Sequence, residues 1–195
     1  YLFGPSIATA QELYPEVNFI LVDGVPDGGA ASNTLAILYK EEQSGFLAGY
    51  AAVKEGMTEL GFMGGMAVPA VVRFGYGYLA GANYAAAEDG VKVNVRYTYL
   101  GTFGEDPIIV TQSEAWYRDG VQAIFASAGG AGNSVMRAAE DTDNVMIGVD
   151  VDQSAESDSV ITSAMKNLKG SVYEAVKAAK EGTFPGGQIW NLGAA

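Results

Sequence analysis

The sequence predicts an α/β protein in which a parallel sheet carries helices on both faces. Three observations predict it. Helix-like and strand-like segments alternate along the whole chain. Most strand-like segments are short apolar runs, the pattern of strands buried on both sides. These runs lead into glycine or polar residues at Asp23, Gly64-Gly65, Gly101-Thr102-Phe103, Gly129-Gly130 and Asp150. Open parallel sheets bind ligands outside the carboxyl ends of their strands, so these positions form the expected binding edge.

The elements follow in order. Residues 6–14 read as a short helix with Pro15 behind it, and 18–22 as a strand ending at Asp23. Residues 23–33, rich in Gly, Pro, Asp and Ser, read as loop, and 34–39 as a second strand. In the helix expected over 41–57, Phe46, Leu47, Tyr50 and Val53 recur at three- and four-residue steps and give one apolar face. A strand over 60–63, a helix over 73–88 and a strand over 91–99 come next. Asp106-Pro107 is a helix start, since the aspartate can cap free N–H groups and proline suits the first helical position. That helix runs to Asp119 and stops at Gly120. Then come a strand over 122–126, a helix ending near Glu140, strands over 145–150 and 160–164, and a helix over 170–180 stopped by Gly182.

Composition narrows the function. The chain has 195 residues, enough for one large domain or two small lobes. With 49% hydrophobic and 17% charged residues it is globular. A net charge of −12 repels phosphate backbones and argues against a nucleic-acid partner. It suits a neutral ligand whose hydroxyls donate to carboxylates. Cysteine and histidine are both absent, which removes thiolate chemistry, the commonest general base and the commonest transition-metal ligand. No cofactor and no metal site is expected. No apolar run reaches the roughly 18 residues of a membrane span. The chain starts at Tyr1 without a signal-like segment, so a processed chain or a fragment is expected.

Several motifs compete for chemistry. Gly129-Gly130-Ala131-Gly132, between a strand and a helix, reads as backbone approaching a ligand, with an anion at the helix N-terminus as one form and a plain tight turn as the alternative. It is neither a Walker loop nor a complete G-x-G-x-x-G, because Val135 takes the last glycine's place. Gly75 to Gly81 reads as close helix packing. Ser163-Ala164-Met165-Lys166 fits Ser-x-x-Lys but lacks its partner motifs and lies on a strand, so it is not read as catalytic. Asp150 and Asp152 would point the same way on a continued strand, and the preferred role of Asp150 is to accept hydrogen bonds from ligand hydroxyls. Phe103, in a glycine-flanked loop, either stacks on a flat ligand or anchors its loop in the core.

Taken in series, these segments resemble the basic membrane protein family of solute-binding lipoproteins, whose best-understood branch is the purine nucleoside receptors of ABC transporters. The resemblance is carried by Glu42-Gln43-Ser44-Gly45-Phe46-Leu47-Ala48-Gly49-Tyr50-Ala51-Ala52, Gly61-Phe62-Met63-Gly64-Gly65, Phe74 with Gly77 to Gly81, and Ala123-Ile124-Phe125-Ala126 with Gly129-Gly130. Ile147-Gly148-Val149-Asp150-Val151-Asp152-Gln153 and Thr162-Ser163 with Lys166 complete it. It implies a type I periplasmic-binding-protein fold, two parallel-sheet α/β lobes joined by a hinge that close on a ligand. It also implies that Phe103 stacks on a purine, Gly130 lines the base pocket, Asp150 accepts from ribose hydroxyls and Lys166 reaches the sugar. The family's opening strand and its Asp-x-Ser-Phe-Asn-like segment have no counterpart here, so roughly the first hundred residues are expected to be missing.

On this basis residues 1–38 and 162–182 belong to a first lobe, 39–159 to a second, and 183–195 to a tail that crosses back. The implied partners are a purine nucleoside and a membrane ABC permease, and the implied location is the extracytoplasmic cell envelope, lipid-anchored or periplasmic. A ligand-sensing domain of a transcription regulator or signalling receptor is the rival reading, and a DNA-binding helix-turn-helix upstream would mark it. An enzyme ranks third, for want of a base and a nucleophile.

Overall fold

The structure is a computed structural model and describes residues 2–193. The chain divides into two compact units, one built from the residues before Glu41 and after Lys166, the other spanning Glu41–Lys166. In chain order the first unit contributes α1 (Gly4–Leu13), β1 (Phe19–Val22) and β2 (Thr34–Tyr39). The second contains α2 (Glu41–Lys54), β3 (Glu59–Gly64), α3 (Pro69–Asp89), β4 (Asn94–Tyr99), α4 (Pro107–Arg118), β5 (Ala123–Ser127), α5 (Ala131–Asp141), β6 (Val145–Asp150) and β7 (Val160–Met165). The chain then returns to the first unit with α6 (Leu168–Lys180) and β8 (Ile189–Leu192).

In the first unit the strands lie in the order β1-β2-β8, all parallel. Leu35, Ile37, Tyr39 and Ala175 form its core. The Tyr39 hydroxyl and the Ser171 hydroxyl share a hydrogen bond of 2.6 Å beneath α6. The Asn33 amide donates to the carbonyls of Gln11, Tyr14 and Val17, satisfying backbone groups at and just beyond the end of α1.

The second unit holds a parallel sheet in the order β4-β3-β5-β6-β7. Alternate residues of the central strands feed two separate cores. Phe62, Phe125 and Ile147 pack under α2 and α3, whereas Met63, Ile124 and Met146 pack under α4 and α5. Burial on both faces explains why these strands read as continuous apolar runs.

Helices α2 and α3 approach so closely that glycine is required at their contact. A Cβ on Gly45 or Gly49 would run into the Phe74 or Tyr78 carbonyl, and one on Gly77 or Gly81 into the Glu42 or Phe46 carbonyl. The glycine run over 75–81 is therefore a packing surface.

Several boundaries differ from the sequence expectation. α3 begins at Pro69, four residues before Arg73, with the proline in its first turn. α2 ends at Lys54 rather than at residue 57. α6 begins at Leu168, because the Asn167 side chain accepts from the Gly170 amide and caps it. The chain does not leave the second unit at residue 162: β7 stays paired with β6 through Asp150↔Met165, and the unit ends at Lys166. The expected tail of residues 183–195 contains β8, which pairs with β2.

Candidate functional site

The carboxyl ends of the five parallel strands of the second unit gather the candidate residues along one edge of the sheet. Phe103 follows β4, Gly65 follows β3, Gly129 and Gly130 follow β5, Asp150 ends β6 and Lys166 follows β7. Two clusters result.

The first is built around Phe103. Its loop reaches back over the sheet, and the ring lies against the backbone of Gly65, where any Cβ would collide with ring carbons. A Cβ on Gly129 would stand 3.5 Å from the Phe103 Cβ, and one on Gly130 would stand 3.0 Å from the Phe103 carbonyl oxygen. That carbonyl accepts from the Ala131 amide at 3.0 Å. The Gly132 and Asn133 amides donate to the Gly129 and Gly130 carbonyls. The Ala131, Gly132 and Asn133 amides that open α5 are thus engaged with the protein's own backbone, which argues against the anion-binding form of this loop. Gly129 turns the chain with φ 54°, in the left-handed region. Phe103 is half-buried and touches the core beneath α2 and α3, so it has one face on the loop scaffold and further surface to offer.

The second cluster is a chain of charges. Asp150 has φ 68°, a backbone conformation that L residues other than Asn and Asp rarely adopt. This ends the strand, so the condition under which Asp150 and Asp152 would point the same way is not met. Asp152 instead turns away and accepts from the Ser154 amide at 3.0 Å, and that bond lowers its pKa below the usual carboxylate value. Asp150 Oδ1 stands 3.1 Å from Lys166 Nζ. It forms this ion pair without hydrogen-bond geometry. The Lys166 amide donates to the Asp150 carbonyl at 2.9 Å. Lys166 Nζ also lies 3.5 Å from Glu41 Oε1 and 5.1 Å from the centre of the Phe74 ring. Glu41 Oε2 in turn accepts from Arg73 Nε. Exposure falls steeply inward: the Asp150 side chain is 41% exposed, that of Lys166 3%, and that of Glu41 0%.

The loop after Asp150 is pinned from beneath. Gln153 Oε1 accepts from the Val149 amide, and the Gln153 amide donates to Ser163 Oγ at 3.1 Å. Ser163 lies on β7, so the Ser-x-x-Lys match is a loop anchor next to the charge cluster. Gly148 leaves room for this bracing, since a Cβ there would lie 2.7 Å from Ser163 Oγ.

Of the four residues singled out from the sequence, the structure joins Phe103 with Gly130 and Asp150 with Lys166. Glu41, Arg73 and Phe74 were not singled out as site residues. Glu41 reads as a carboxylate in the first turn of α2, a position that complements the helix dipole at the surface. Only tertiary packing reveals that it is buried against two cations. Among the described residues, no group of three His, Cys, Asp or Glu side chains gathers as a metal site. No helix among them is long and apolar enough to cross a membrane.

Comparison with known proteins places this arrangement in context. A basic membrane protein D of Borreliella burgdorferi is 39% identical over 183 residues, covering 91% of this chain and 52% of that protein. An ABC transporter nucleoside-binding protein of Lactococcus lactis, BmpA, is 32% identical over 201 residues, 93% of this chain and 56% of its own. The chain therefore spans about half the length of these relatives. An ABC transporter solute-binding protein from Aeropyrum pernix, known by crystal structure, superposes with a TM-score of 0.88 at 26% identity, covering 99% of this chain and 56% of that one. A transcriptional activator from Bacillus halodurans superposes with a TM-score of 0.76 at 18% identity and shares the fold. The family model of ABC transporter substrate-binding proteins similar to PnrA matches residues 3–195, and the chain belongs to that family.

Proposed function

We propose that the protein is the receptor of an ABC importer and binds a purine nucleoside at the carboxyl edge of the second unit's sheet, without turnover. One observation carries this reading. A half-buried aromatic ring braced on glycines and a partly exposed aspartate backed by a lysine lie on one sheet edge. The Phe103 ring contacts the ends of β3 and β5, and β6 with Asp150 is the next strand, about 5 Å further on. A planar base and its attached sugar fit that sequence of groups. Phe103 would stack on the base, and Gly130 would let the base come close to the backbone. Asp150 would accept from sugar hydroxyls, with Lys166 neutralising it from behind and offering a donor to the sugar. The nucleoside named for the Lactococcus lactis relative supports the same ligand class. The loaded receptor would deliver its ligand to a membrane permease from the extracytoplasmic side, anchored by lipid or free in the periplasm.

A nucleoside screen by thermal shift on the full-length protein tests this. Ligand at about 100 times Kd adds about 2.7 kcal/mol, which is read as a Tm rise of several degrees. Guanosine, inosine or adenosine is expected to give such a rise, and sugars and amino acids are not. Phe103→Ala is expected to weaken binding by about 1–3 kcal/mol, the range for base–aromatic stacking. A screen in which no nucleoside raises Tm would overturn the reading. Binding by Phe103→Ala at wild-type strength would remove the stacking role alone.

A further inference from the structure

We infer that the outer face of α6, in the first unit, docks on an anionic lipid surface, with Lys169, Lys177 and Lys180 meeting the headgroups and Tyr173 and Val176 settling between them. This goes beyond the ligand site and does not depend on it.

α6 packs on the first unit's sheet through its buried face, where Ser171 and Ala175 lie. The opposite face carries Lys169, Tyr173, Val176, Lys177 and Lys180, all exposed. At 3.6 residues per turn these five fall within an arc of about 100°, along about 16 Å of helix. Tyr173 is 63% exposed and Val176 53%, so the arc is apolar as well as basic. Every arginine of the chain pairs with a carboxylate. Among the described residues the three lysines of this arc have no such partner. Glu174, the helix's own carboxylate, lies outside the arc and lines the groove between α6 and β8.

The distribution of charge favours the same partner. The first unit holds four lysines, no arginine and six carboxylate residues, so it carries two of the chain's twelve net negative charges. Three of its four lysines stand on this one face. Charges farther from the lipid than a Debye length, about 8 Å at physiological salt, are largely screened. The local sign therefore decides, and here it is positive. Lysine stems can lie along apolar neighbours while the ammonium reaches a phosphate, and tyrosine favours the depth of the headgroups. A convex helix face suits a flat lipid surface better than a peptide, whose anchor side chains need pockets.

The test is cosedimentation of the full-length protein, without nucleoside, with vesicles of equimolar phosphatidylglycerol and phosphatidylcholine and with vesicles of phosphatidylcholine alone. A lysine near an anionic surface strengthens binding about fivefold, so three set a ceiling near about a hundredfold. The wild type is expected to prefer the anionic vesicles at least about tenfold, and to lose that preference at about 1 M salt, where the Debye length is about 3 Å. Lys169→Gln/Lys177→Gln/Lys180→Gln is expected to remove it. Lys92→Gln, at an exposed lysine of the second unit, is expected to leave it intact. Equal binding of the wild type to both vesicles, a preference that the triple variant retains, or an equal loss in Lys92→Gln overturns the inference. Tighter binding to soluble polyglutamate than to the anionic vesicles would assign the face to an acidic protein segment and overturn it too. So would resistance of Lys169, Lys177 and Lys180 to a water-soluble acylating reagent, which would show this face covered in the whole protein. None of these outcomes touches the nucleoside screen, so the proposed function stands or falls separately.

Discussion

Tyr78 lies at the centre of the second unit, wholly buried between Phe62 and Phe125, and its hydroxyl has no hydrogen-bond partner. Burial pushes its pKa well above the usual tyrosine value. A buried hydroxyl without a partner costs stability, so Tyr78→Phe is expected to raise the urea midpoint or leave it unchanged, where most core substitutions lower it. Asp150 poses the opposite case. Its left-handed backbone suits Asn far better than Ala. Asp150→Asn is accordingly expected to be more stable than Asp150→Ala by about 1 kcal/mol in urea unfolding, while both abolish the nucleoside-induced Tm rise. At this scale it is position that was legible in the sequence: Phe103, Gly130, Asp150 and Lys166 all stand at or just after strand ends. Glu41 and Arg73 were not, because a carboxylate opening a helix looks the same whether it faces water or a buried lysine. The direction of Asp152 stayed conditional on the strand continuing, because nothing in the local pattern announces that the backbone turns at Asp150.

The packing of α2 on α3 depends on backbone approaching backbone, and here small changes are expected to have large effects. Gly81→Ala would place a methyl against the Phe46 carbonyl, in the body of a helix where alanine is otherwise preferred. The intrinsic gain of up to about 1 kcal/mol for Ala over Gly is opposed by overpacking of about 1–3 kcal/mol. A net loss of stability in urea unfolding is expected, and a gain would show that the helices can separate at no cost. The cap of α4 is a milder case: the Asp106 side chain accepts from the Ile108 amide at 2.8 Å, and Asp106→Ala should cost about 1 kcal/mol. Elements with strong local signals were legible, such as the Asp106-Pro107 start and the continuous apolar runs of β5 and β6. β8 was not, since Ile189–Leu192 is short, half exposed and, among the described residues, paired with β2 alone, and its strand character comes from β2 rather than from its own sequence.

At the scale of the whole molecule, alternation of helix and strand was sufficient to give the parallel architecture, because two-sided burial leaves so plain a mark on composition. Where the chain passes from one unit to the other was harder to read. Strand β7, expected in the first lobe from residue 162 onward, is assigned to the second unit's sheet by its pairing with β6. That assignment makes Glu41 the first and Lys166 the last residue of the second unit, with their side chains 3.5 Å apart. Residues 41–166 thus form a closed excursion whose two ends meet, as in domains that tolerate being spliced into a host or expressed alone. Excised, this segment is expected to fold autonomously, with one cooperative melting transition. Joining its ends through a short linker and opening the chain at an exposed turn such as Gly90 should preserve that transition.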